Sequence, residues 1–261
     1  MYIRPVHAEL DPPTLHAFVR TYPLGLFTTY CPHPTISSLQ STHIPFVLDT
    51  PTDGPTILRG HIARANPHCK ALLAASELPE EVVVIFQAPV HSYVTPKFYT
   101  TTKPLNGRVV PTWNYAAVQV YGTLRLHHTG KEGADFLQSQ IEALTDQQEL
   151  KAGHEKPWKV KDAPDKYVDL LKKGIIGLEI QVSRIEGRFK MSQEMADGDW
   201  NGVVQGFKGL GTKEGDEMAR FIQERGKDRE GGSRKEKEES EAVQRSLAEE
   251  REAVEQEPAK A

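Results

Sequence analysis

The segment AVQVYGTLRLH, residues 117–127, alternates apolar and polar side chains along its length. Val118, Val120, Leu124 and Leu126 share one face of an extended strand, while Gln119, Tyr121, Thr123 and Arg125 share the other. A strand with one face for a core and one for water belongs in an antiparallel sheet rather than a doubly covered parallel one. LGLFTTY (24–30), STHIPFVLD (41–49), TILRGHIA (56–63) and IIGLEIQVSRIEGRFKMS (175–192) also read as strands, and the apolar run EVVVIFQ (81–87) reads as a central one. Helices interrupt them. Asp11 caps one begun by Pro12 and Pro13, and Leu137, Ile141 and Leu144 form the buried stripe of another. A further helix starts near Pro164, is expected to bury Tyr167, Leu170 and Leu171, and stops at Gly174. Two short helices carry Trp200, Val203, Val204 and Phe207, then Met218, Phe221 and Ile222. The order predicts a mainly β (α+β) fold: a small antiparallel barrel with peripheral helices, not a doubly wound parallel sheet.

Composition sets the outer limits. The chain has 261 residues, with 32 Lys plus Arg against 36 Asp plus Glu, a formal charge of −4 that gives no footprint for a polyanion. Charge concentrates from Lys227 onward, where 8 basic and 11 acidic residues leave 24 and 25 for residues 1–226. That tail has no aromatic residue and few aliphatic ones, so it is expected to be disordered, with a folded domain over 1–226. Cys31 and Cys69 fall in different elements without a CxxC, which points away from a disulfide framework or a zinc site and toward a reducing compartment. No apolar run nears the roughly 20 residues of a membrane span, and the first residues have no signal-peptide h-region. The expected setting is cytoplasmic, with the nucleus also open.

Several catalytic signatures are missing: no Rossmann GxGxxG after a strand, no Walker GxxxxGK[ST], no HExxH, no GxSxG. Three other stretches carry chemistry. In LRGHIARANPHCK (58–70), Arg59 and His61 share a strand face, Arg64 follows, and Asn66 caps a helix that opens at Pro67. Basic groups thus gather at a helix start, where backbone N–H groups and the positive dipole end favour an anion such as a phosphate; an ordinary polar strand edge with a cap is the competing reading. HSYVTPKFY (91–99) and VVPTWNYAAV (109–118) combine aromatic rings with hydroxyls and amides, which suits a flat heteroaromatic ligand or an aromatic cluster under a loop. EGRFKMSQ (186–193) ends a strand with Arg188, Lys190, Ser192 and Gln193.

With these three stretches in this order, and with MYIRPVHAELDPPTLHAFVRTYPLG, THIPF (42–46) and KPWKVKDAPDKYVDLLKKGIIGLEI, the chain resembles the PaiB family of FMN-binding split-barrel proteins over roughly residues 1–210. CPHPTISSLQ, ELKAGHE and the charged tail lie outside the resemblance. The resemblance implies a six-stranded antiparallel split β-barrel that is a homodimer with FMN at the subunit interface. It implies that Arg59, Arg64 and Asn66 hold the FMN phosphate, with Thr42 and His43 beside the phosphate–ribityl or flavin edge and His61 contacting phosphate or bracing the site. Tyr93, Thr112, Trp113 and Asn114 would border the isoalloxazine, Trp113 and Asn114 from either subunit, and Lys190 and Gln193 would approach from the late strand. The implied function is a flavin-dependent oxidoreductase or flavin sensor, with NAD(P)H or another small molecule as substrate. No residue declares itself a catalytic acid or base; His43 and His61 are the candidates for handling a proton. Two alternatives stand beside it: a transcriptional regulator working through a partner or metabolite, since neither a helix-turn-helix pattern nor a basic surface supports direct nucleic-acid binding, and a haem-binding or haem-degrading protein with His43, His61, His91 or His154 as axial ligand.

Overall fold

The computed structural model describes residues 1–226; the charged stretch expected to be disordered lies outside the described residues. The strands are β1 (Ala8–Glu9), β2 (Leu24–Tyr30), β3 (Leu39–Pro45), β4 (Val47–Asp49), β5 (Ile57–Ala63), β6 (Val82–Gln87), β7 (Ser92–Val94), β8 (Thr112–His127) and β9 (Ile175–Lys190). The helices are α1 (Pro12–Thr21), α2 (Pro67–Ala74), α3 (Thr102–Asn106), α4 (Gly130–Ala152), α5 (Asp165–Lys172), α6 (Asp197–Lys208) and α7 (Lys213–Arg225). They fall into two compact units. One comprises Met1, Glu9–Ala88 and Ala117–Arg188; the other comprises Tyr2–Ala8, Pro89–Ala116 and the described residues from Phe189 on.

The first unit holds a sheet in the order β3-β2-β6-β8-β9-β5-β4. Its registered pairs are antiparallel, among them Phe27↔Thr42, Phe27↔Val84, Val84↔Val120 and Gly60↔Leu178. Seven strands line this path, one more than a six-stranded barrel has, because the strand expected over 41–49 breaks in two. Pro45 brings no N–H to a ladder, and the Phe46 N–H turns to the Pro23 carbonyl (2.9 Å). The sheet curls until β3 meets β5, which stands five places along the path. A Cβ on Gly60 would lie 2.9 Å from the Phe46 ring and 3.0 Å from Ile44 Cγ2, so a residue without a side chain is needed there. Side chains rather than ladder hydrogen bonds close the curve, as in a split barrel. Its core is Phe27, Phe46, Phe86, Leu58, Leu72, Ile176, Leu178 and Ile180, all fully buried. β6 lies inside the sheet as expected, yet alternates: Val82, Val84 and Phe86 are buried while Val83 and Ile85 are half-buried.

Helix α1 is capped by the Asp11 carboxylate, which accepts from the Thr14 N–H, and buries Leu15, Phe18 and Val19. Helix α4 lies over the face of β5 and β9 opposite the core; Gly177 of β9 would put a Cβ 2.4 Å from the Phe136 ring. Only the first turns of α4 bury side chains, Leu137 and Gln140, while Ile141 and Leu144 are half-buried. Helix α5 differs more from expectation. Tyr167, Leu170 and Leu171 are 55%, 63% and 54% exposed, so the apolar stripe is real but nothing in the unit covers it.

In the second unit β7 pairs antiparallel with the start of β8, Tyr93 opposite Trp113. Helices α6 and α7 bury Val203, Val204, Phe207, Met218 and Ile222, as their spacing predicts. Cys31 and Cys69 are both free and buried.

Candidate functional site

The turn between β5 and α2 is built by local sequence. Asn66 adopts an extended backbone and its Oδ1 accepts from the His68 N–H (2.9 Å), while Pro67 takes the first helical position, where no N–H is required. The β2–β3 register puts Thr42 opposite Phe27, with Thr29 two residues along on the same buried face. His68 comes down onto this face. Its ring stacks on Phe27 (4.8 Å between centroids, 9° between planes), Nε2 lies 2.8 Å from Thr29 Oγ1, and Nδ1 lies 3.0 Å from Thr42 Oγ1. Burial pushes the His68 pKa down to about 4, so the imidazole is neutral at physiological pH. The Asn66 amide reaches Thr42 Oγ1 as well, at 3.4 Å. Arg64 donates from Nη2 to the His128 carbonyl (2.7 Å), and its charge is felt at Cys69 in the first turn of α2. It also lines a cavity of about 380 Å³ with Lys172, Lys173 and Thr129.

The two other basic residues of the motif point elsewhere. Arg59 and His61 share a face of β5, as the alternation predicts, but α4 covers that face. The Arg59 fork is closed by the Asp49 carboxylate (2.5 and 3.2 Å), and its remaining nitrogen donates to Ser139 Oγ (3.2 Å). His61 Nδ1 lies 2.7 Å from Oε1 of Gln140, a fully buried side chain. These contacts tie the helix to the sheet. His43 is exposed on the face of β3 opposite Thr42, because neighbours in a strand alternate, so the sequence pairing of these two does not become a pairing in space.

The second unit gathers the other candidates. Lys190 Nζ donates to Thr112 Oγ1 (2.5 Å) and to the Trp113 carbonyl (3.3 Å), and lies 3.3 Å from Glu194 Oε1. Glu194 also binds Nε2 of the buried His7 at 3.1 Å. Burial alone would raise the Glu194 pKa; the His7 hydrogen bond and the Lys190 charge overcome it and hold it at about 2. Asn114, fully buried, exchanges hydrogen bonds with Ser192: Nδ2 donates to Oγ (2.9 Å) and Oγ donates to Oδ1 (3.1 Å). That exchange holds Ser192 at φ 59°, the one positive φ outside glycine among the described residues. Gln193 folds back on its own turn, accepting from the Met191 N–H (2.6 Å) and donating to the Phe189 carbonyl. Tyr93 and Trp113 form an edge-to-face pair 6.3 Å apart, each 48% exposed, with the Trp113 indole donating to His91 Nδ1 (3.2 Å). A cavity of about 320 Å³ lies beside Tyr99, Arg108, Thr112, Glu194 and Asp199. Burial, with Glu194 and Asp199 adding to it, pushes the Tyr99 hydroxyl up to about 12.

Thr29, His68, Gln140 and Glu194 escape the sequence reading. His68 had one signal, its place directly after the N-terminal proline of a helix, but periodicity does not say which residue of a first turn meets the sheet. The residues fit a phosphomonoester at the β5–α2 turn. Arg64 has Nε and Nη1 without a protein acceptor among the described residues, Thr42 is partly exposed, and the helix start lies alongside. Arg59, its fork filled by a carboxylate, contributes no vacant donor pair.

The chain matches the family described as "Putative FMN-binding domain" over residues 1–184. It is 50% identical over 245 residues to an uncharacterized protein of Emericella nidulans, spanning 87% of this chain and 98% of the relative. It is 28% identical over 185 residues to the protease synthase and sporulation protein PAI 2 of Bacillus subtilis, spanning 71% and 80%. Among solved structures, the flavocytochrome Anf3 from Azotobacter vinelandii matches at a TM-score of 0.42 and 12% identity over 72% of each chain, too distant to argue from. A curled, mostly antiparallel sheet with peripheral helices, together with this family match, defines a split barrel of the flavin-binding class. The chain belongs to the PaiB-like FMN-binding family, and FMN is its cofactor.

Proposed function

We propose that this protein is a flavin-dependent oxidoreductase that seats the FMN phosphate at the β5–α2 turn and works as a homodimer with NAD(P)H or another small molecule as substrate. The observation that carries the seat is the meeting of Thr42 and Asn66 at the start of α2, with Arg64 two residues before the cap. Arg64 supplies charge and two uncommitted donor nitrogens, Thr42 a hydroxyl and Asn66 an amide, in a setting where a helix dipole favours an anion. Arg59, His61 and Gln193 act as braces, and Asn114 holds the β8–Ser192 junction. In the second unit, Lys190 and Thr112 form a polar edge, and Tyr93 with Trp113 is an exposed aromatic pair. Bound FMN supplies the hydride and one-electron chemistry, while the chain supplies binding, orientation and electrostatics.

The test is a fluorescence titration of the full-length protein with FMN and with riboflavin, followed by anaerobic addition of NADH or NADPH. FMN is expected to bind at least about tenfold more tightly than riboflavin. Arg64→Ala should remove most of that preference, since a hydrogen bond to a charged group is worth roughly 1.5–3 kcal/mol. Bleaching of the flavin band by either nicotinamide supports the oxidoreductase reading, and absence of FMN uptake defeats the whole proposal.

A further inference from the structure

We infer that His68 is a positioning residue that fixes Thr42 as a hydrogen-bond donor, so that the hydroxyl selects for the phosphate of FMN. This rests on the flavin reading above and adds to it the device that sets the polarity of one contact.

Protons along one chain of hydrogen-bonded groups can be placed one by one. A neutral imidazole carries one N–H and one bare nitrogen, so one of its two threonine neighbours must donate and the other must accept. Desolvation keeps His68 neutral, and its ring is fully buried against Phe27. The two threonines are not equivalent. Thr29 is 3% exposed and His68 Nε2 is the partner of its hydroxyl. If Nε2 carried the proton, the Thr29 hydroxyl hydrogen would be left in the core with neither water nor an acceptor. Thr29 therefore donates to a bare Nε2, and the imidazole proton sits on Nδ1. Nδ1–H in turn donates to Thr42 Oγ1 at 3.0 Å. The Asn66 amide points at the same oxygen from 3.4 Å, while Asn66 Oδ1 is occupied by the His68 N–H. With two donors directed at its oxygen, Thr42 has its own O–H left to give, and its side chain is partly exposed. An outward hydroxyl held in this way welcomes an acceptor such as a phosphate oxygen and has no lone pair to offer a donor. Its preference is set from behind, by a histidine that touches no ligand.

Two measurements decide it. The first is long-range ¹H–¹⁵N correlation on full-length protein with ¹⁵N-labelled histidine, with His68 assigned by comparison with His68→Gln. A neutral Nδ1–H tautomer is expected, with and without FMN; an Nε2–H tautomer or an imidazolium near pH 7 overturns the proposal without touching the flavin reading. The second is the ratio of FMN to riboflavin affinity in Thr42→Val, which keeps shape and removes the hydroxyl, and in Thr42→Ser, which restores it. The valine variant is expected to lose about tenfold in FMN affinity with little change for riboflavin, and the serine variant to recover most of it. Equal loss for both flavins, or loss for neither, overturns the phosphate assignment. Wild-type protein that binds neither flavin overturns the ligand half together with the flavin reading, and the tautomer then stands or falls by the first measurement alone.

Discussion

Glu194 shows how one carboxylate can hold a turn and report on it. It is buried enough that desolvation favours its neutral form, yet His7 and Lys190 converge on its two oxygens and keep it ionised. Its folded pKa of about 2 lies below the ordinary value of 4.5, so the stabilisation is fully present above pH 4.5 and is lost as the pH falls toward 2. A shift of this size corresponds to roughly 3–4 kcal/mol. Urea unfolding at pH 7 and at pH 3 should show wild type losing part of this between the two conditions. Glu194→Gln should begin lower at pH 7 and lack that part of the acid-induced loss. A variant with the same pH dependence as wild type would mean that the ion pair contributes nothing to folding. Arg59 teaches the complementary lesson. Its residue type and strand face were legible in LRGHIAR, but its partner was not, because Asp49 comes from a neighbouring strand and Ser139 from a helix 80 residues further on.

At the scale of elements, strands were legible where alternation was strong. LGLFTTY appears with its expected bounds, and ILRGHIA and VVVIFQ appear within a residue of theirs. What alternation cannot show is who covers a face. The spacing of Tyr167, Leu170 and Leu171 correctly predicts an amphipathic helix, yet those residues remain more than half exposed, whereas α4 buries Leu137 to 5%. Hydrophobic period is a property of one segment; burial needs a second surface, which the segment does not encode. The difference is measurable. Leu170→Ser should change the unfolding free energy by less than about 0.5 kcal/mol, as surface substitutions do. Leu137→Ala should cost about 2–5 kcal/mol, the range for a buried leucine. A large loss for Leu170→Ser would mean that α5 is covered in solution.

For the whole molecule, the question is how much of the chain the cofactor requires. The family match ends at residue 184, and the candidate residues end at Gln193. Helices α6 and α7 extend the described chain to Gly226 with a core of their own, Phe207, Met218 and Ile222 among it. The 35 residues beyond, with 8 basic and 11 acidic side chains, have a small excess of the same sign as a phosphate. Over a distance longer than the roughly 8 Å screening length at physiological salt, that excess exerts little force on a ligand held elsewhere. Deleting the chain after Gly226 should therefore leave FMN affinity within about twofold of wild type at 0.15 M salt, and raise it slightly, if at all, at low salt, where screening is weaker. Titrating the shortened and full-length proteins side by side at two ionic strengths reads both effects. A tenfold loss on truncation at either salt would place a cofactor contact beyond residue 226, and the phosphate seat at Arg64 would then be only part of the binding site.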